Sequence, residues 1–142
     1  MPVRSTALSL AIAALPALLG ASPVNHSETY SITLTGLAEG VGGDPNASGK
    51  ARIVIDAARK RICYDFELSG IASPMMAHIH RAPPMHNGPT VVTLFTEIGG
   101  DLKGCKVWTP KQLAAIVVRP ADYYVNLYTT EFPDGAVRGQ LA

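Results

Sequence analysis

The chain has 142 residues, 47% apolar and 16% charged, with 12 Lys and Arg against 11 Asp and Glu. That balance excludes a nucleic-acid binder, which needs a clustered basic face, and the low charge with ample apolar content excludes intrinsic disorder. The length suits one domain with a single core that needs no metal or oligomer to hold it together.

Residues 1–21 read as a signal peptide. Arg4 supplies the positive start, residues 7–19 form an uncharged Ala/Leu run, and Leu19-Gly20-Ala21 offers a small residue for cleavage before Ser22. The run is interrupted by Pro16 and falls short of the roughly 20 residues of a spanning helix. Cleavage and export are therefore expected. They leave one domain at 22–142, secreted or periplasmic, with no transmembrane segment.

Residues 30–37 alternate Ile32 and Leu34 against Ser31, Thr33 and Thr35, the period of a half-buried strand. A Gly-rich loop at 39–48 leads to a second strand at 51–55 and a third at 61–69, where Cys63 faces away from Tyr64, Phe66 and Leu68. A fourth strand at 75–80 runs into a Pro-rich loop, a fifth follows at 90–96, and residues 104–108 carry the second cysteine. Thr109-Pro110-Lys111-Gln112 then reads as a helix start with a capping box, and Pro120 ends that segment. Residues 123–129 and 136–141 close the chain as two strands around Phe132-Pro133-Asp134-Gly135. Seven or eight short strands point to a sandwich or barrel.

In an oxidising compartment, two cysteines, Cys63 and Cys105, most simply form one disulfide. Such a bridge would stabilise by about 3–4 kcal/mol. A metal thiolate pair and a catalytic thiol are the weaker alternatives.

The chemistry concentrates in residues 75–86, which hold Met75, Met76, His78, His80, Met85 and His86. On a strand, Met76, His78 and His80 share one face while Ala77 and Ile79 point inward. Two imidazoles at that spacing can converge on one ion, and imidazole with thioether suits copper better than magnesium or calcium. The plainer reading is solvated or carbonyl-bonded histidines with gap-filling methionines. His86 follows two prolines and either turns back toward the pair or faces water, and His26 adjoins the cleavage site. No nucleophile elbow, phosphate loop or His-Glu-x-x-His motif occurs. Asp65 and Glu67 share a strand face that reads as solvated surface.

Cys63-Tyr64-x-Phe66, Ala77-His78-Ile79-His80, Asn87-Gly88-Pro89, Gly104-Cys105, Tyr123-Tyr124-Val125-Asn126 and Gly135-Ala136-Val137-Arg138-Gly139-Gln140-Leu141 together resemble the CHRD domain, from about residue 31 to 141. The resemblance implies an all-β, Greek-key, sandwich- or barrel-like fold in an extracellular setting, with a Cys63–Cys105 bridge; it implies little about activity. The His-x-His strand is similar to the copper-ligand strand of copper–zinc superoxide dismutases, whose sandwich the fold is expected to resemble. Family members commonly carry His where this chain has Tyr128, two residues after Asn126. A ligand set of His78, His80, His86, Met76 and Met85, with Tyr128 and Asn126 as neighbours, therefore lacks one nitrogen donor. The methionines favour Cu(I). Arg138 reads as structural, tying loop carbonyls or a carboxylate together.

The expectation is an exported binding module without catalysis, its partner a protein, a surface or a small ligand, with copper as the candidate cofactor. A copper redox enzyme of the dismutase type is the competing reading. A structural envelope domain without a ligand is the third.

Overall fold

A computed structural model describes residues 27–142; the expected signal peptide at 1–21 and His26 lie outside these residues. Among the described residues eight strands, β1 (Glu28–Thr35), β2 (Ser48–Asp56), β3 (Arg61–Ser69), β4 (Met76–Arg81), β5 (Thr90–Phe95), β6 (Lys103–Val107), β7 (Tyr123–Tyr128) and β8 (Val137–Gln140), accompany one α-helix, α1 (Pro110–Val118). They form one antiparallel sheet in the order β5-β4-β7-β8-β1-β2-β3-β6. The all-β fold is as expected, and its strand order is compatible with a dismutase-like sandwich.

The alternation seen in the sequence sets the inward face. Leu34, Ile53, Ile55, Ile62, Ile79 and Val125 are fully buried, each worth about 1.5–3 kcal/mol of burial. The sheet curls until its two edges approach. Phe95 of β5 meets the rings of Tyr64 and Phe66 of β3 at 5.9 and 6.4 Å. Trp108, just past β6, donates its indole N–H to the Val91 carbonyl of β5 at 3.0 Å. These contacts close the barrel where no ladder does. Gly139 lets β8 lie against β1, because a Cβ there would collide with the Thr33 carbonyl.

Two local readings need correction. β2 starts at Ser48 rather than 51, because Ser48, Gly49 and Lys50 pair on both sides, with Thr35 to Thr33 of β1 and with Ser69 to Glu67 of β3. Ladder bonds come from the backbone and do not require apolar side chains. Helix α1 does begin at Pro110, but no capping box forms: the Thr109 hydroxyl donates to the Gln112 side chain instead of accepting from a backbone N–H. Burial of Leu113 and Ile116 holds α1 to the core.

Cys63 and Cys105 stand opposite each other on β3 and β6 and are joined by a disulfide. No helix among the described residues is long and apolar enough to cross a membrane.

Candidate functional site

The face of β4, β7 and β8 turned away from the core carries a polar and aromatic set in three cross-strand rows. Met76 pairs with Tyr128. His78 pairs with Asn126, which pairs in turn with Arg138. His80 pairs with Tyr124, which pairs with Gln140. A barrel's outer face is ordinarily solvated, yet Tyr124, Asn126 and Arg138 are 2%, 3% and 1% exposed. Loops fold over them.

The main cover is the loop 82–89. Arg138 donates to the carbonyls of Pro83 at 3.0 Å and His86 at 2.8 Å, and Gln140 donates to that of Ala82 at 2.8 Å. Gly88 sits so close to the Arg81 carbonyl that no side chain fits there. Its N–H donates to the Tyr124 hydroxyl at 3.3 Å. Under the loop, the Arg138 guanidinium lies 3.4 Å above the Tyr124 ring, and Tyr124 stacks on His80 with centroids 5.0 Å apart. A desolvated cation over an aromatic face contributes about 2 kcal/mol.

His80 has both ring nitrogens engaged. A carbonyl only accepts, so the 2.9 Å contact with Gly88 places the proton on Nδ1. Nε2 is then the acceptor, and the Tyr128 hydroxyl donates to it at 2.6 Å. Burial, reinforced by the Arg138 charge, holds the His80 pKa below the ordinary histidine value even though the Gly88 bond opposes this. Burial and then His80 lower that of His78. Both rings are thus neutral at pH 7. Burial first, then Tyr124, Glu39 and Asp134, raises the Tyr128 hydroxyl against the opposing charge of Arg138, so it remains a phenol and not a phenolate.

The rings of His78, His80 and Tyr128 form a triangle with centroid separations of 5.6, 5.3 and 6.2 Å. Met76 is half-buried on the same face, at the Tyr128 end. His86 and Met85 sit apart on the covering loop. The His86 ring is exposed and its Nδ1 bonds the Pro84 carbonyl, while Met85 is 60% exposed beside Gly40. The loop leaves His80 8% exposed, bonded to a loop carbonyl as in the plainer reading of these histidines. Among the described residues no three His, Cys, Asp or Glu side chains converge so as to hold a metal ion.

Sequence reasoning missed Glu39 as a site residue. The Asn126 amide donates to its carboxyl at 3.4 Å across 87 positions of chain, a separation that leaves no local pattern. Tyr124 and Gln140 were visible only as parts of motifs, without a role.

A family model for the CHRD domain matches residues 30–141. No curated protein and no solved structure matches the chain.

Proposed function

The chain belongs to the CHRD domain family, and from that premise we propose that it is an extracytoplasmic binding module, without catalysis, in which His78 and His80 bind Cu(I). The disulfide supports an oxidising compartment. The observation that carries the copper reading is the ring triangle: two neutral imidazoles with centroids 5.6 Å apart on one strand, facing a third ring at position 128. Neutral nitrogens need lose no proton to become ligands. With the Met76 thioether on the same face, the donor set fits a soft ion of low coordination number. It does not fit zinc, whose sites hold three or four protein ligands, and it falls short of the nitrogen ligands a dismutase-like centre needs.

Tyr128 would compete with the metal, because its hydroxyl occupies the lone pair of His80 Nε2. Removing it with Tyr128→Phe is expected to tighten Cu(I) binding about fivefold, the worth of one hydrogen bond of about 1 kcal/mol. Tyr128→His, which completes a triangle of imidazoles, is expected to tighten it further and to add affinity for Cu(II). His78→Ala is expected to abolish binding. It is a cleaner variant than His80→Ala, which would also strand the Gly88 carbonyl and the Tyr128 hydroxyl. The measurement is a competition titration against a Cu(I) chelator. A wild type that cannot compete, with no gain from Tyr128→His, would overturn the copper reading and leave a module for a protein, a surface or a small ligand.

A further inference from the structure

Among the described residues, two buried side-chain oxygen atoms lack a hydrogen-bond partner, and they belong to the two residues of one contact. Asn126 Nδ2 donates to Glu39 Oε2 at 3.4 Å, while Glu39 Oε1 and Asn126 Oδ1, each shut off from water, meet no donor. Buried polar atoms are almost always paired, because nothing else offsets their lost hydration. Turning the Asn126 amide over would not help, since a carboxylate only accepts and one oxygen of each group would still be stranded. A proton resolves both at once. If Glu39 is a carboxylic acid, Oε1–H donates to Oδ1 while Nδ2–H donates to Oε2, and acid and amide form a closed pair.

We propose that Glu39 is a neutral acid in the folded protein, and that its pair with Asn126 is a pH-sensitive latch pinning the loop 36–44 over the outer face of β7. The latch does not depend on copper. Burial pushes the Glu39 carboxyl up to about 7, against the opposing effects of Arg138 and the Asn126 bond. Arg138 is the cation facing it from β8, but the hydrogen bonds it makes go to the loop, to the carbonyls of Pro83 and His86 and the Asn87 side chain, and none reaches Glu39. From the β7–β8 loop, Asp134 and Glu131 line the same hollow as Glu39. Tyr128 of β7 is a neutral phenol, and His78 of β4, opposite Asn126, is a neutral imidazole. Glu39 lines that hollow of about 330 Å³, so an ionised carboxylate has water-sized space beside it.

The sign follows from linkage. A carboxyl whose folded pKa lies above its unfolded one contributes stability that is complete below the unfolded value, near 4.5, and is lost as pH rises through about 7. The latch should therefore hold in acid and release in mild alkali, freeing the loop 36–44 and uncovering Asn126.

The test is carbon NMR of the side-chain carboxyls of the intact protein across this range, with hydrogen exchange of the loop amides. The expected result is a Glu39 midpoint near 7, with the protection factors of the loop amides, taken against the base-catalysed intrinsic rate at each pH, falling about tenfold above it, the worth of one buried hydrogen bond. A midpoint in the ordinary carboxylate range overturns the proposal. Glu39→Gln supplies a second arm, because glutamine offers the donor and acceptor of the acid at every pH. It is expected to match wild type in acid and to exceed it in stability in alkali. A Glu39→Gln protein with wild-type pH dependence, or less stable than wild type throughout, overturns the proposal as well.

Discussion

Replacing Arg138 with alanine is expected to lower stability by about 3–5 kcal/mol, the worth of two hydrogen bonds from a charged donor at about 1.5–3 kcal/mol each. Its side chain is 1% exposed, spans the carbonyls of Pro83 and His86, and covers the Tyr124 ring. Without it, two loop carbonyls lose their donor, the aromatic stack loses its upper layer, and a side-chain-sized void opens beneath the loop 82–89. Arg138→Lys should recover little, because an ammonium cannot present a planar fork to two carbonyls and stack on a ring at the same time. Urea unfolding of the wild type and both variants measures this. A loss below about 1 kcal/mol, an ordinary surface-mutation effect, would mean that the loop is held by other contacts. Limited proteolysis offers a local readout, with cleavage expected first within 82–89.

Reducing the Cys63–Cys105 bond is expected to cost about 3–4 kcal/mol, because the bond closes a span of 42 residues and so restricts the unfolded chain. The effect should be concentrated at β6. That strand is the edge next to β3, and its residues are exposed or half-buried, so it brings little to the core beyond its ladder. Trp108 follows it directly and bridges to Val91 of β5, so its fluorescence reports whether the barrel seam has opened. Unfolding curves with and without reductant give the magnitude. Thiol titration of the denatured, unreduced protein should find no reactive group, and two thiols per chain would contradict the bridge.

Much of the barrel was legible in the sequence because a strand's inward face is written locally. Ile32 and Leu34, Ile53 and Ile55, and Tyr64 and Phe66 each recur at a spacing of two residues, and all six are buried. Pro110 marked the start of α1 because its lost N–H and fixed φ suit a first helical turn. The likeness to the CHRD domain rested on motifs in order along the chain, and the family match covers nearly the same residues.

The chain's alternation also determined by itself which side chains leave β4 away from the core, since successive residues must point to opposite faces. Met76, His78 and His80 are therefore on one side and Ala77 and Ile79 on the other. What lies over that outward face was decided by the tertiary structure alone. Arg138 reaches the loop at Pro83 across 55 positions, and Glu39 reaches Asn126 across 87. No periodicity encodes a contact of that range. A polar strand face reads as solvent-exposed until something folds across it, and here the covering loop leaves His80 buried, neutral and capped by Tyr128. The identity of the residues was local information, and their protonation and accessibility came from desolvation by distant chain.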